Sequence, residues 1–438
     1  MKIELRMLTL GFILAIVVCV QALAFVQTGP PGTTRTTRNH IAATDGFIVM
    51  PDGRDVYIFG FTNVTSLVKF RNQSTSLMGK RKAQADFTAP TIEMREGMHH
   101  YQTLSTLGMA MRPDLFDPHT IHFHGYPHAS AVFDGEPMSS LKVNQGADFT
   151  YFYQLNDPGT YMFHCHNEAT EHMEMGMLGN LIVRPRQDEF VANNPALAPS
   201  YNGKAYTRFI FNDCDNLPED VTVAPPGGFA LGGQPGICGS TGFDKDYMIQ
   251  FADIDPGFHD NDSFAQPLDF VGFKARYFTL NGRGYPDTTN PNPIINNASS
   301  YLPPPSLPAN PADANYAAQK VNALITLNTA AGEQALVIRM HNLSIQEFVT
   351  IEIPGLPVQI IGKDAKFLRR PNGKDLRYYA NSILIGPGES ADLRIDRQDP
   401  TYPGGVPTGT YYMYSRMLEQ LTSDQMDRSG AMTEIRIQ

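Results

Sequence analysis

The sequence predicts an all-β protein built from two copies of one β-sandwich. Its 438 residues are 42% hydrophobic and 18% charged, and 37 glycines and 33 prolines are typical of a globular protein rich in turns. Short alternating segments precede turn residues from about Phe47 to Arg186, for example 149–155 before 156–159, and no long segment has the 3.6-residue period of a helix. Strand patterns resume at 277–280 and continue from Val321 to the end.

An internal repeat relates the two halves. Residues 159–166 (GTYMFHCH) resemble residues 409–416 (GTYYMYSR), and residues 120–125 (TIHFHG) resemble residues 350–355 (TIEIPG). In this alignment the second half replaces the histidines and cysteine of the first: His164, Cys165, His166, His122 and His124 become Tyr414, Ser415, Arg416, Glu352 and Pro354. We therefore expect metal ligands in the first copy alone.

The N-terminal residues predict export. Lys2 and Arg6 precede an apolar run over 7–20, and Ala22-Leu23-Ala24 is a small-x-small cleavage site, so residues 1–24 are interpreted as a signal peptide. The alternative is an uncleaved membrane anchor. Either interpretation predicts a periplasmic or extracellular (secreted) protein, with a ligand-bearing domain over 25–187 and a second domain over 188–438.

Charge and cysteine content limit the partners and the compartment. A net charge of −10 without a basic run argues against nucleic acid as a partner. In an oxidising compartment Cys214 and Cys238 could close a loop of about 25 residues, worth roughly 3 kcal/mol. Two free thiols are the alternative. Both cysteines lie in or beside a Pro/Gly-rich stretch, 218–242, and a second such stretch covers 286–315; both are predicted to be surface loops or insertions.

Six of the twelve histidines cluster around one cysteine. Because side chains alternate along a strand, His164 and His166 should face away from Cys165. The same alternation gives His122 and His124 one face and His119 the other. One predicted set has two imidazoles, a thiolate and a thioether, as in a mononuclear blue copper site: His119, Cys165, His172 and Met177. The other set is all imidazole: His122, His124, His164 and His166.

This ligand pattern predicts copper and electron transfer. A thiolate with two imidazoles suits copper cycling between two oxidation states, and a weak axial methionine tunes the potential. Met173 and Met175 also lie near His172, but the spacing favours Met177. The peptide bonds that join Cys165 to its two neighbouring histidines offer a short covalent route between the sets.

In these motifs the chain resembles the multicopper oxidases. The last copper-binding domain of that family carries His-Pro-x-His-x-His-Gly and His-Cys-His-x₃-His-x₄-Met. Residues 119–125 and 164–177 resemble these motifs, with Thr120 at the proline position and two residues inserted before His172. Similarity to the family's copper-free middle domain extends to 280–282 and 387–389.

The resemblance implies two cupredoxin-like Greek-key domains in tandem and an oxidase activity. By it, the cysteine set binds a type 1 copper and the imidazole set contributes to the type 2/type 3 cluster that reduces oxygen to water. The family's cluster takes eight histidines from two domains, whereas this chain supplies four. The other mature-chain histidines form no second His-x-His pair: His40, His99, His100, His128, His259 and His341.

Four completions of the imidazole set follow from this shortfall. First domains could pool their histidines in a homo-oligomer, a partner could supply the rest, fewer coppers could bind, or the set could be a remnant. We expect the homo-oligomer, with the imidazole face in its interface. A heterologous trimer resembling two-domain laccases is the competing assembly.

The sequence leaves the reaction partners open. The predicted function is a secreted copper oxidoreductase that passes electrons to oxygen, and an electron carrier or copper-handling protein is the alternative. Copper nitrite reductases are also similar, but they have an aspartate at the position of His122 and a non-ligand at that of His166. The reductant could be a small molecule, a metal ion or a redox protein. Histidines 99 and 100 lie among methionines and could dock copper, although ordinary packing is the simpler interpretation.

Overall fold

The computed structural model describes residues 35–67, 81–127, 129–218, 221, 225–233, 236–294 and 318–438. The predicted signal peptide or anchor, His128 and most of the 286–315 stretch lie outside these residues. The described part is mostly β-structure, as the sequence predicted. Within it, no helix has both the length and the apolar character needed to cross a membrane.

The described residues of the first half contain eight strands and two short α-helices. The strands are β1 (Thr36–Val49), β2 (Asp55–Asn63), β3 (Ala89–Arg95), β4 (His99–Thr106), β5 (His122–His124), β6 (Asp148–Gln154), β7 (Gly159–His164) and β8 (Leu178–Arg184). The helices are α1 (Ala169–Glu174), between β7 and β8, and α2 (Arg186–Asn193), which spans the predicted domain boundary.

The second half contains fourteen strands and one helix among the described residues. The strands are β9 (Ser200–Tyr201), β10 (Lys204–Ala205), β11 (Lys245–Ile254), β12 (Tyr277–Leu280), β13 (Ile325–Leu327), β14 (Ala335–Asn342), β15 (Val349–Glu352), β16 (Val358–Lys363), β17 (Lys366–Phe367), β18 (Tyr378–Tyr379), β19 (Ser382–Ile385), β20 (Ser390–Asp396), β21 (Gly409–Ser415) and β22 (Met432–Ile437). Helix α3 (Pro256–Ser263) follows β11.

Each half builds a pair of mixed sheets with corresponding strand orders. In the first half the orders are β2-β1-β4-β6 and β3-β8-β7-β5. In the second they are β12-β11-β14-β20-β16, extended by β17 and β18, and β13-β22-β21-β15-β19. The parallel pairs also correspond, β1/β4 and β3/β8 against β11/β14 and β13/β22. This agreement supports the internal repeat inferred from the sequence.

The burial pattern along a strand shows whether one or both of its faces are covered. Strand β22 has one face toward solvent, whereas both faces of β7 are buried. In β22, Thr433, Ile435 and Ile437 are buried while the intervening residues are partly exposed, as a half-buried strand requires. In β7 every residue is buried. The second half covers its outer face, where Thr160 donates a hydrogen bond to the carboxylate of Asp392. The strand that precedes Cys165 is therefore held from both sides.

A buried ion-pair network joins the halves behind β7. Asp246 on β11 accepts hydrogen bonds from Arg184 on β8, from Arg339 on β14 at 2.9 Å and from Arg208 at 2.9 Å. Arg339 Nη1 also donates to Thr160 Oγ1 at 2.9 Å. One carboxylate therefore connects a strand of the first half to two segments of the second.

The predicted disulfide is present. Cys214 and Cys238 are joined with an S–S distance of 2.00 Å across a separation of 24 residues. The bond closes a loop within the second half that contains most of the first Pro/Gly-rich stretch. Among the described cysteines this leaves Cys165 free and buried.

Candidate metal centre

The predicted ligands gather around the end of β7. Strand β5 pairs antiparallel with β7 so that His122 lies opposite His164, and Cys165 follows directly. His119 precedes the regular strand and is held by an isolated bridge to Val143. The irregular backbone lets His119 reach the side of the strand that Cys165 faces, as the odd spacing from His122 predicted.

The cysteine set is compact and fully buried. His172 Nδ1 lies 3.3 Å and His119 Nδ1 4.0 Å from Cys165 Sγ. The two imidazole centroids are 4.8 Å apart. None of these three side chains, nor Met177, is more than 1% exposed. Two imidazole nitrogens and one sulfur therefore converge in a dry pocket.

Electrostatics favour a thiolate at Cys165. Burial alone would raise the pKa of the thiol, but the adjacent His172 imidazole and two backbone contacts lower it. One contact is the Thr120 N–H, which donates to Sγ at 3.4 Å. Burial alone would lower the pKa of His172, but the neighbouring Cys165 and Asp117 side chains raise it to about 10. The two side chains therefore favour opposite charges on each other, a negative sulfur beside a positive ring.

Two of the three neighbouring methionines remain candidates for the thioether. Met173 packs with Met162, Leu178 and Leu343, in a cluster separate from Cys165. Met175 and Met177 are both fully buried in the core cluster that contains Cys165. Met177 is also tied to the site by its backbone, because its carbonyl accepts the Cys165 N–H at 3.0 Å.

The imidazole set lies on the opposite side of the same strands. His124 Nδ1 is 3.1 Å from His164 Nε2, and ligand nitrogens of His122, His124 and His164 lie within 4.8 Å of one another. The ligand nitrogens of His166 fall outside this group of three, although its ring centroid lies 5.0 Å from that of His122 and 5.6 Å from that of His164. The structure thus brings all four predicted rings together, three of them tightly.

Backbone carbonyls orient two of these rings. Asp134 O lies 2.7 Å from His122 Nδ1, and Cys165 O lies 2.9 Å from His164 Nδ1. Because a carbonyl only accepts, both Nδ1 atoms carry the proton and both Nε2 atoms are unprotonated, which is the form that binds a metal. The turn that presents Asp134 needs a glycine at Gly135, whose φ is +78° and whose added Cβ would lie 2.1 Å from Ile121 O.

Burial keeps three of these imidazoles, His122, His124 and His164, neutral. It lowers the pKa of His164 to about 3, helped by the neighbouring rings, and lowers the pKa of His122 and of His124. A neutral imidazole is the form that binds metal. These three imidazoles are therefore ready to bind a cation at neutral pH without first losing protons.

An acidic group that the sequence analysis did not identify lies beyond His172. The carboxylate of Asp117 is 3.9 Å from His172 Nε2, the nitrogen that faces away from Cys165. Ligand atoms of Asp117, Glu168, Glu171 and His172 lie within 4.8 Å of one another. Burial raises the pKa of Glu171 to about 7, with further contributions from Asp262 and Asp117 that His172 opposes. No sequence motif marks this group, because Asp117 and α1 meet only in the folded chain.

The second half closes one side of the imidazole set. A cleft of about 280 Å³ is lined by His124 and Thr160 of the first half and by Asp364 and Glu389 of the second. The Gly388 turn approaches His124 so closely that an added Cβ would lie 3.3 Å from the ring. His341 on β14 is fully buried nearby, and burial, with Arg339 and His124, lowers its pKa to about 3. A lone histidine in a strand gave no sequence signal for this position.

The two histidines of the His–Met stretch, His99 and His100, have ordinary partners. His100 is buried between Thr37 Oγ1, 2.8 Å from Nδ1, and Gln102 Oε1, 3.2 Å from Nε2. His99 packs edge-on against Phe152. The neighbouring methionines Met94, Met98 and Met109 are buried in the core. Packing therefore accounts for the His–Met stretch.

The donor sets fit copper. With metal–ligand bonds of about 2.0–2.3 Å, donors to one ion must lie within about 4.6 Å of each other. The sulfur-to-nitrogen distances of 3.3 and 4.0 Å satisfy this limit. A thiolate with two imidazoles and a buried thioether is the blue-copper donor set, and clustered neutral imidazoles suit a second copper.

Comparisons with known proteins agree with this chemistry. Residues 82–188 match the family model described as multicopper oxidase. Multicopper oxidase CTB12 of Cercospora beticola is 29% identical over 107 residues, which are 23% of this chain and 14% of that protein. Ceruloplasmin of Rattus norvegicus is 33% identical over 99 residues, 21% of this chain and 8% of that protein. The chain thus matches less than a fifth of the length of either relative.

A solved structure extends the likeness over nearly the whole chain. The blue copper oxidase from Nitrosomonas europaea superposes with a TM-score of 0.55 at 20% identity, covering 92% of this chain and 86% of that one. At this identity the likeness shows the fold. Both halves of the chain, and not the matched segment alone, therefore share the fold of that structure.

Proposed function

We propose that this chain, whose residues 82–188 belong to the multicopper oxidase family, is a secreted copper oxidoreductase that passes electrons from a reductant to oxygen. In this proposal His119, Cys165, His172 and Met177 hold a type 1 copper, and His122, His124, His164 and His166 hold a second copper site. Copper supplies one-electron redox chemistry at both sets when it is bound.

The observation that carries the proposal is the back-to-back arrangement of the sets. Cys165 faces His119 and His172, while its chain neighbours His164 and His166 face the other set. The path from the thiolate to either imidazole is a single peptide unit and two side chains. A site built only to store copper has no need of a covalent link to a second histidine cluster.

The surrounding residues hold the donors in place and keep water out. The Thr120 N–H donates to the sulfur, and Asp134 and Cys165 offer carbonyls that fix the tautomers of His122 and His164. These contacts orient ligands before metal arrives. The complete burial of Cys165 excludes solvent from the sulfur.

A cationic reductant is favoured by the acidic group at His172. Asp117, Glu168 and Glu171 surround the outer edge of an imidazole whose other nitrogen faces Cys165. Oxygen ligands and negative charge suit a metal ion. We therefore favour a metal-ion reductant over a phenol. Replacing Asp117 with Asn should raise the KM for a ferrous or cuprous reductant and leave the blue colour unchanged.

The imidazole set needs completion from a second chain. Strand β5 is the edge of its sheet in the described residues, and His122, His124 and His166 are half-buried. The second half brings Asp364, Gly388 and Glu389 to the cleft beside His124. A two-fold homo-oligomer would place four imidazoles from each chain across one interface. Oxygen consumption should then fall on dilution to the monomer while the blue colour persists.

Copper content measured together with oxygen uptake tests the function. The proposal expects a blue protein with more than one copper per chain that consumes oxygen when reductant is added. About one copper per chain without oxygen uptake would instead indicate an electron carrier. About two coppers per chain with nitrite turnover would indicate a nitrite-reductase-like enzyme.

A further inference from the structure

Helix α1, which carries His172, is anchored to the second half through Glu174. The Glu174 side chain is completely buried. Its Oε1 accepts the Asp255 N–H at 2.7 Å and lies 3.4 Å from His259 Nε2. Asp255 caps helix α3 and His259 lies within that helix. A carboxylate two residues from a predicted copper ligand is thus held by the other half of the molecule.

His259 links this carboxylate to strand β2. Its Nδ1 donates to the Tyr57 carbonyl. Burial alone would lower the pKa of His259, but the Glu174 carboxylate raises it. Both ring nitrogens therefore face acceptors, one on β2 and one on α1. Such a fully buried imidazole fixes the distance between the two elements.

Strand β2 in turn contacts the ligand loop directly. The Phe59 N–H donates to Met175 O at 2.8 Å, and the Phe59 ring packs edge-on against the His172 imidazole with centroids 5.9 Å apart. At Gly176, whose φ is +114°, an added Cβ would lie 2.7 Å from Phe59 O. The contacts close a ring that runs from His172 through β2 and His259 back to α1.

We propose that His259 is a positioning residue for the cysteine set, acting through Glu174 on α1. Five residues separate His166 from His172 here, against three in the multicopper oxidase motif, so the longer loop requires an anchor of its own. The copper-free half thereby sets where His172 and Met177 stand relative to Cys165. The inference rests on the proposed copper function.

The experiment compares three substitutions of His259 in the full-length protein. His259→Leu removes both polar contacts, His259→Asn keeps a donor near the Nδ1 position, and His259→Gln keeps one near the Nε2 position. Asp213→Asn, another buried charge of the second half that contacts Gln187, Gly239 and Thr241, is the control. Hydrogen exchange is measured on the copper-free proteins, and the visible spectrum and reduction potential on the copper-loaded ones.

In the Leu variant we expect the Met175 and Met177 amides to exchange at least about tenfold faster, because their hydrogen bonds lie within α1 and its C-terminal turn. The charge-transfer band should shift in energy. The Gln variant should restore both readouts more fully than the Asn variant, because it keeps the contact with Glu174. The control should change neither.

Two outcomes would overturn the inference. One is wild-type exchange and spectrum in the Leu variant, and the other is equal loss in the Gln and Asn variants. If the Leu variant does not fold, Glu174→Gln keeps the shape and removes the charge, and wild-type behaviour in it would likewise refute the role. A colourless wild-type protein would contradict the proposed copper function, while the exchange comparison on copper-free protein would still decide the positioning role.

Discussion

In the first half β5 pairs with β7 so that His122 faces His164, and in the second half β15 pairs with β21 so that Glu352 faces Tyr414. The backbone registers agree, but the side chains do not. Tyr414 Oη donates to Glu352 Oε2 at 3.4 Å, and Arg416 Nε lies 3.5 Å from the same oxygen. Acid, phenol and guanidinium satisfy one another there without a metal.

The edges of the two sheets also differ. Beyond β15 the sheet continues into β19, whereas β5 is the last strand of its sheet in the described residues. The second half therefore closes both its polar cluster and its sheet, while the first half leaves neutral imidazoles on an open edge. The same β-sandwich can therefore carry either a cluster of candidate metal ligands or a closed polar cluster. The side chains on two strands decide which of the two forms.

The largest effect is expected from a substitution that removes the thiolate of the cysteine set. Cys165→Ser should abolish the blue colour and all electron transfer, because the thiolate supplies both the charge-transfer band and the link to the imidazole set. The visible spectrum and oxygen electrode measure these losses. Circular dichroism should match the wild type, since the substitution is nearly isosteric. A copper-loaded oxidised wild-type protein that is colourless would contradict the assignment.

The next largest effect is expected from a substitution in the imidazole set that leaves the cysteine set unchanged. His164→Phe should reduce oxygen consumption by more than the roughly 10–100-fold that loss of an outer-sphere partner costs a metal site. The blue colour should remain, because His164 faces away from Cys165. Steady-state oxygen uptake and the visible spectrum of one preparation check both statements. Loss of colour together with turnover would show that the sets are not separate.

A smaller effect is expected at the ion-pair network that connects the two halves. Although burial opposes it, Arg339, Arg184 and Arg208 hold the pKa of Asp246 well below its usual range. The stabilisation is therefore present above the unfolded pKa of about 3.9 and is lost as the pH falls toward the lower folded value. Asp246→Asn should destabilise the protein by about 3 kcal/mol at neutral pH, because the buried guanidinium groups of Arg184 and Arg339 lose the carboxylate that they share while each keeps one other acidic neighbour.

Denaturant unfolding at several pH values measures this contribution. The wild type should lose stability between about pH 4 and pH 2 through this group, and the Asn variant should show a shallower dependence over that window. An identical pH dependence in both proteins would rule out Asp246 as the source. The visible spectrum of the variant would show whether the join also influences the copper site.

The smallest effect is expected at the position that matches His164. Tyr414→Phe removes one long hydrogen bond from a partly exposed site and should change stability by less than about 0.5 kcal/mol. Oxygen uptake should not change. Paired with His164→Phe, it places the same side chain at equivalent positions of the two halves. A comparable loss of oxygen uptake in both variants would contradict the claim that His164, and not Tyr414, supports turnover.

The sequence predicted the sorting of ligands because that sorting depends on strand alternation, which is local. His122 and His164 lie in regular strands, so their facing could be inferred from spacing. The predicted strand at Tyr277–Leu280 matches β12, whereas β1 begins at Thr36, earlier than expected, because its N-terminal part pairs with β4. The local sequence pattern thus predicted the presence of a strand more accurately than the residue at which the strand begins.

Tertiary neighbours could not be inferred in the same way. Asp117 reaches His172 from a loop with no motif, and His259 reaches Glu174 across a sequence separation of 85 residues. His341 gave no signal and lies near His124 only because β14 packs on β7. Such contacts depend on how the two sandwiches pack, which periodicity does not encode.

The copper content of one full-length variant tests the central claim most directly. Combining Cys165→Ser, His122→Ala and His164→Ala removes donors from both sets and leaves the second half intact. If the two sets are the copper sites, a folded variant should retain less than about 0.1 copper per chain, whereas the wild type should retain more than one. Tight binding of about one equivalent by the variant would place copper outside the two sets and contradict the account.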